Sequence, residues 1–200
     1  LMLIKVCGLK DPEQVAVISK HVDFVGFIFY PQSKRYIDHS LPSLGAKKTR
    51  FFVNYRPRVV LNTARLEKLN VVQLHGDEQP EECAEIHGQL KVIKAFGIHE
   101  GFDFEKLNAY KNYVDYFLFD THSPLKGGTG IQFSWEILAK YTGETPFFLS
   151  GGISPDSLEA IRNFEHKSFA GIDLNSRFEI EPGKKDIELL NTFLNEIRSK

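Results

Sequence analysis

The chain has 200 residues and a mass of 22.9 kDa, which suits one domain with a substantial core. Its net charge is −1, with no long run of one sign, so it lacks the excess of positive charge that would favour nucleic acid or an anionic membrane surface. No apolar run approaches the roughly 18–20 residues of a membrane span. Two cysteines and no signal-peptide pattern at the start predict a reduced, cytoplasmic protein.

Short β-rich runs recur along the chain, each followed by a segment with helical spacing. This alternation predicts parallel strands joined by helical crossovers. Eight such units indicate an α/β fold, a (β/α)8 TIM barrel formed by residues 1–200 as a single domain. An open, doubly wound sheet is the alternative, because periodicity does not distinguish a closed sheet from an open one. The predicted strands are Ile4–Cys7, Phe24–Phe29, Thr49–Asn54, Val71–His75, Lys91–Ala95, Tyr116–Phe119, Phe147–Ser150 and Ala170–Leu174.

Several helix starts carry recognisable capping residues. Asp11 and Pro12 begin the first helix, and Gln14 at the third position completes a capping box. Residues 38–46 contain a proline and a glycine and are expected to form only a short or irregular helix. The other predicted starts are Pro80, Ser134 before Trp135–Tyr141, Ser154-Pro155, and a last helix over about Lys185–Ile197.

The seventh strand runs directly into Gly151 and Gly152, and Ser154-Pro155 then starts a helix. A strand, a glycine turn and a helix N-terminus direct free N–H groups at one point, which suits a phosphate. The glycines are equally compatible with a tight turn and no ligand.

Cys7 lies at the end of the first strand, where barrel enzymes carry their functional groups. It is either a small core residue or a base, and a base requires a nearby positive charge that favours the thiolate. Lys5, two residues back on the same face, is one source of that charge, although it is equally suited to a buried pair with a carboxylate. Cys83 lies in a helical pattern and is predicted to be a packing residue.

Asp120 follows the apolar run Tyr116–Phe119. A partly desolvated carboxyl there would have a raised pKa and act as a general acid, while a capping or loop aspartate is the alternative. Arg35 offers a planar fork for a carboxylate or phosphate, or is simply solvated. Gln73 and His75 share one face of the fourth strand and either contact substrate or satisfy each other. The seven histidines lack metal-ligand spacing, and the sequence contains neither an NTPase phosphate loop nor a dinucleotide motif.

Together these residues resemble the phosphoribosylanthranilate isomerase family. The matching segments occur in the family's order from the first strand to the eighth. They are Lys5-Val6-Cys7-Gly8-Leu9, Ser33-Lys34-Arg35-Tyr36, Val72-Gln73-Leu74-His75-Gly76, Asp120-Thr121 with Gly127-Gly128-Thr129-Gly130, and Leu149-Ser150-Gly151-Gly152-Ile153. After the eighth strand the family's Asp-Val-Ser-Ser-Gly is replaced by residues 173–177, Asp-Leu-Asn-Ser-Arg, so Arg177 replaces a glycine.

The resemblance implies a role for each matching position. Cys7 is expected to be the general base, Asp120 the general acid and Arg35 the partner of the anthranilate carboxylate. We assign further substrate contacts to Gln73, His75 and Asp173. The phosphate is expected among loops six to eight, at Gly128, Thr129, Gly151, Gly152, Asn175 and Ser176.

The family's reaction is an Amadori rearrangement of a phosphorylated aminoaldose, and it implies a phosphosugar substrate, no metal and no other cofactor. We expect a monomer or homodimer. Three alternatives stay open. A ribulose-phosphate epimerase would normally have metal-binding histidines at several strand ends. A silent phosphosugar-binding protein would not need both Cys7 and Asp120. A chain that also accepts the histidine-pathway aminoaldose would generally carry aspartate at position 7.

Overall fold

The computed structural model describes residues 2–39, 45–121 and 135–199. Eight parallel strands form a closed barrel in chain order, and the eighth strand pairs with the first. The barrel prediction is therefore confirmed, and the open-sheet alternative is wrong. The strands are β1 (Leu3–Val6), β2 (Phe24–Phe29), β3 (Lys47–Phe52), β4 (Val71–Leu74), β5 (Lys91–Gly97), β6 (Tyr116–Asp120), β7 (Phe147–Ser150) and β8 (Phe169–Leu174).

The largest error in a strand boundary concerns β3, which begins at Lys47 rather than Thr49 and ends at Phe52 rather than Asn54. The two missed residues at its start are lysines, which are not typical of a buried strand, but Lys48 is buried and its ammonium donates to the Glu67 carbonyl at 2.6 Å. Asn54 has a left-handed backbone with φ of 56°, which places it outside the strand.

Five α-helices accompany the described strands: α1 (Pro12–Ile18), α2 (Pro57–Glu67), α3 (Pro80–His87), α4 (Leu158–Arg162) and α5 (Ile187–Arg198). Short 3₁₀ helices occupy Phe104–Ala109, Trp135–Lys140, Pro155–Ser157 and Ser176–Phe178. Ser134 and most of the predicted irregular segment, residues 40–44, lie outside the described residues. Among the residues that the structure describes, no helix is long and apolar enough to cross a membrane.

The predictions for the first and last helices need correction, and the predicted helix at Trp135–Tyr141 is a 3₁₀ helix over Trp135–Lys140. Asp11 caps α1 by accepting a hydrogen bond from the Glu13 N–H at 2.8 Å, but Gln14 does not complete a capping box. Its amide donates to the Lys185 carbonyl at 2.9 Å and accepts from the Lys185 N–H at 2.8 Å. The last helix begins after Asp186, so Lys185 is not part of it.

Residues 179–185 form an antiparallel hairpin that the sequence analysis did not predict. It consists of β9 (Glu179–Glu181) and β10 (Lys184–Lys185), joined through Gly183 with φ of +90°. The hairpin lies between β8 and α5 along the chain, on the segment that leaves the carboxyl end of β8.

Alternation along the strands separates an apolar interior from a polar mouth. The smaller of the two apolar clusters includes Val71, Leu118 and Phe148. Because side chains two residues apart share a face, the next inward position on each of these strands lies nearer the carboxyl end. Those positions hold Gln73, Asp120 and Ser150. The fold therefore collects polar groups at one end of the barrel.

Candidate active site

A cavity of about 480 Å³ lies at the carboxyl ends of β6, β7 and β8. It brings together many of the predicted site residues, although they are far apart in sequence. Its lining consists of Arg35, Asp120, Ser150, Gly151, Gly152, Ile153, Asp173, Asn175, Ser176 and Arg177. The predicted phosphate contacts Gly128 and Thr129 lie outside the described residues and stay predictions.

Cys7 follows β1 and is 3% exposed. Its N–H donates to the Leu174 carbonyl at 2.9 Å, which ties it to the end of β8. The space for its sulfur comes from β2, because a Cβ on Gly26 would lie 2.8 Å from Sγ. Gly26 is thus a residue of the site that the sequence analysis missed.

Burial raises the pKa of the Cys7 thiol, although Lys5 acts in the opposite direction. The Lys5 ammonium donates to Asp173 Oδ1 at 2.8 Å, and both side chains are almost fully buried. Of the two alternatives for Lys5, the pair with a carboxylate is present, and it limits how much of the Lys5 charge acts on the thiol. The thiol form is therefore favoured over the thiolate by burial of the side chain.

Gly8, the residue after Cys7, lies against two residues that line the cavity. It has φ of +75°, and a Cβ there would lie 2.6 Å from Arg35 Cδ and 2.6 Å from Asn175 Oδ1. Because Arg35 and Asn175 both line the cavity, the backbone at Cys7-Gly8 adjoins it on the β1 side.

Asp120 is the last residue of β6 and is partly exposed to the cavity. The Nε2 atom of His75 lies 3.8 Å from Asp120 Oδ2, beyond hydrogen-bond distance. Burial lowers the pKa of His75 to about 3, with Lys5 and Lys94 acting in the same direction, so the ring is neutral. The predicted raised pKa of Asp120 stays a prediction.

Gln73 is buried, and its Nε2 lies 2.9 Å from His75 Nδ1. With the amide nitrogen donating to Nδ1, the His75 proton sits on Nε2 and faces Asp120. The Gln73 amide therefore orients His75, and the predicted contact between Gln73 and substrate would have to be made through that ring.

Gly151 and Gly152 have φ of 92° and 72°, values that favour glycine. The helix that follows them differs from the prediction. Pro155–Ser157 is a 3₁₀ turn, the Ser154 N–H donates to Ser157 Oγ at 3.0 Å, and α4 has only five residues. A helix that short has a small dipole, so a phosphate here would depend on local backbone N–H groups.

Arg35 carries a partner that the sequence analysis missed. Its guanidinium is bonded to Glu179 of the hairpin, and Glu179 also pairs with Lys185 at 2.7 Å. A polar segment with both charges after the eighth strand was the available signal. No group of three or more His, Cys, Asp or Glu within residues 2–39, 45–121 and 135–199 is arranged to hold a metal.

Comparison with known proteins agrees with this geometry. The family model of N-(5'-phosphoribosyl)anthranilate (PRA) isomerase matches residues 4–196. An N-(5'-phosphoribosyl)anthranilate isomerase of Parabacteroides distasonis is 47% identical, and the match covers 98% of this chain and 93% of that protein. One of Phocaeicola vulgatus is 43% identical, and the match covers 100% of this chain and 99% of that protein. The crystal structure of the Thermotoga maritima enzyme matches with a TM-score of 0.84 at 33% identity, covering 100% of both chains. A family structure in complex with reduced 1-(o-carboxyphenylamino)-1-deoxyribulose 5-phosphate matches with a TM-score of 0.82 at 30% identity, again over 100% of both chains.

The closed barrel and the polar cavity at its carboxyl end define a (β/α)8 barrel enzyme. The chain belongs to the N-(5'-phosphoribosyl)anthranilate isomerase family. It is therefore an isomerase, as the resemblance predicted.

Proposed function

We propose that this chain converts N-(5'-phosphoribosyl)anthranilate to 1-(2-carboxyphenylamino)-1-deoxyribulose 5-phosphate in tryptophan biosynthesis. The observation that carries the proposal is one cavity that joins Asp120, Arg35 and the Gly151-Gly152 turn, with Cys7 adjoining it. These groups supply an acid, a cationic fork, backbone donors for phosphate and a base. Relatives of this name and a family structure holding a reduced phosphosugar support it.

In this proposal Asp120 donates a proton to the furanose ring oxygen, and the C1′–O bond breaks to give an iminium ion. Cys7, as the thiolate, removes the proton from C2′, and the electron pair of that C–H bond neutralises the iminium to give an enolamine. Tautomerisation of the enolamine yields the ketone. Asp120 ends β6 and Cys7 follows β1, so in this proposal the acid and the base approach the sugar from different sides.

Arg35 binds the anthranilate carboxylate, and the residues after β7 and β8 bind the phosphate. Holding both anionic ends fixes the sugar between acid and base, which is how positioning contributes to rate. Gly151, Gly152, Asn175 and Ser176 line the cavity and are the described candidates for the phosphate. Asp173 lines it too, and its pairing with Lys5 makes it a support for the base as well as a substrate contact.

We further propose that the whole chain is one catalytic domain that acts in the cytoplasm as a monomer or homodimer. Both cysteines are unpaired and buried, which fits a reducing compartment. A dimeric family member from Thermotoga maritima, whose monomers have also been generated, makes both states reasonable. Sedimentation of the purified protein distinguishes them.

The function is tested by adding purified enzyme to freshly generated phosphoribosylanthranilate and following the loss of the substrate's fluorescence. We expect turnover without added metal or cofactor. Binding of the reduced product analogue without turnover would instead identify a silent phosphosugar-binding protein and overturn the proposal.

A further inference from the structure

The hairpin after β8 contacts Arg35 through its first residue, Glu179. Arg35 Nε lies 2.9 Å and 3.0 Å from the two carboxylate oxygens, and Arg35 Nη2 lies 2.5 Å from Oε2. This is a bidentate contact along the side edge of the guanidinium, and such a contact adds geometric specificity because two atoms of the planar group are bound at once. Residues 35 and 179 are 144 positions apart, so the contact depends on the completed fold.

The contact leaves Arg35 available to a ligand. The Glu179 side chain is only 3% exposed, whereas that of Arg35 is 22% exposed and lines the cavity. Because Glu179 occupies the Nε–Nη2 edge, the Nη1–Nη2 end is the second fork of the guanidinium. The N–H groups of that end can donate to another carboxylate.

Lys185, at the other end of the hairpin, also binds the Glu179 carboxylate. Its fully buried ammonium donates to Glu179 Oε1 at 2.7 Å and to Asn175 Oδ1 at 2.8 Å. The Gln14 amide fixes the backbone of Lys185, and the Gly183 N–H donates to Glu179 at 3.1 Å. With Lys185 protonated, two cations surround one carboxylate, and the cluster retains one positive charge for an anionic ligand.

We propose that Glu179 is a positioning residue, which turns the second fork of Arg35 into the cavity and thereby selects substrates with a carboxylate. The proposal rests on the proposed function. It extends the site to the hairpin, which reaches the substrate only through Arg35. A competing role, in which Glu179 occupies Arg35 and must be displaced by substrate, predicts the opposite effect on affinity.

The test compares Glu179→Gln with Glu181→Gln on the same hairpin. Glu181 is exposed and meets Lys184 only at 4.0 Å, so its variant is a matched control. We expect Glu179→Gln to raise KM by about tenfold with kcat changed less than about threefold, since one charged hydrogen-bond pair is weakened. Glu179→Asp, which keeps the charge, should recover part of the loss.

Two binding probes separate positioning from general damage: reduced 1-(o-carboxyphenylamino)-1-deoxyribulose 5-phosphate and its phenylamino counterpart without the carboxyl. Glu179→Gln should weaken the first by about tenfold and leave the second unchanged. In an Arg35→Ala background it should have no further effect on either probe. Tighter binding of the first probe by Glu179→Gln, unchanged binding, or equal loss for both probes would overturn the proposal. Absence of turnover and of binding by the unaltered enzyme would instead overturn the proposed function.

Discussion

The two candidate catalytic groups lie on sides of the barrel mouth that differ in burial and charge. On the β1–β8 side, Cys7 is enclosed next to the buried Lys5–Asp173 pair. On the β4–β6 side, Asp120 is partly open to the cavity and faces the neutral ring of His75 at 3.8 Å. Cys7 thus lies next to a buried ion pair, whereas Asp120 faces a neutral imidazole ring.

This difference suits the proposed roles of Cys7 as base and Asp120 as acid in one fold. A thiol needs nearby cations to ionise, whereas a carboxyl that must stay protonated needs their absence. The neutral ring of His75 adds no positive charge of its own beside Asp120, and the two buried lysines that act on His75 each have a carboxylate partner, Asp173 for Lys5 and Glu78 for Lys94.

The largest effect is expected from Cys7→Ala, which removes the base. We expect kcat to fall by at least ~10²-fold, the scale for a positioned proton acceptor. Cys83→Ala is the matched control, since Cys83 is also a buried, unpaired cysteine but lies in α3. Near-normal turnover of Cys7→Ala would remove the base from this side of the mouth.

Asp120→Asn removes the acid and keeps the shape of the side chain. The expected loss is again at least ~10²-fold in kcat. Asp115→Asn serves as its control, because Asp115 precedes the same strand and binds the Val92 N–H at 2.9 Å, at the opposite end from the cavity. If the two variants turned over equally well, Asp120 would not be the acid.

Arg35→Ala is expected to act on binding more than on chemistry. Loss of a charged hydrogen-bonding partner should raise KM by about 10–100-fold with a smaller change in kcat. Lys34→Ala alters the exposed neighbour and should leave KM near its original value. An unchanged KM in Arg35→Ala would move the carboxylate site elsewhere.

The last prediction concerns the stability of the protein and its pH dependence at His75, with no effect on catalysis implied. Its pKa is lowered from 6.5 to about 3 in the folded protein. As pH falls from 6.5, the unfolded chain binds a proton that the folded site does not, so the free energy of unfolding decreases until about pH 3. In His75→Asn this part of the slope, up to about 1.4 kcal/mol per pH unit, should be absent.

Urea unfolding at a series of pH values measures that slope. His21→Asn is the control, because His21 is exposed. Equal slopes in the unaltered protein and in His75→Asn would mean that His75 is already charged in the folded state. The difference between the two sides of the mouth would then disappear.

Strand-end residues were predictable from the sequence because apolar runs mark the strands and the next residue lies at the mouth. Asp120 and the Gly151-Gly152 turn, which line the cavity, and Cys7, which adjoins it, were placed at strand ends in this way, and their roles stay predictions. The hairpin was not predictable, since Glu179 to Lys185 contains no apolar alternation and its strands are two and three residues long. Gln14 fitted a local capping pattern, but its actual partner is 171 residues away.

The direction of the pKa change at Cys7 was also not predictable from the sequence. Lys5 was correctly placed next to the thiol, yet the direction of the pKa change depends on burial, which outweighs the nearby ammonium. Burial of this kind comes from the closed fold, in which Gly26 of a neighbouring strand leaves space for the sulfur.

The Lys5–Asp173 bond joins residues 168 positions apart across the β1–β8 seam. During synthesis, Lys5 therefore has no carboxylate partner in Asp173 until most of the chain has been made. A nascent polypeptide that stops short of β8 has Cys7 but neither its acidic neighbour nor the carbonyl of Leu174 that anchors it. If Cys7 acts as the proposed base, activity therefore depends on closure of the barrel by β8.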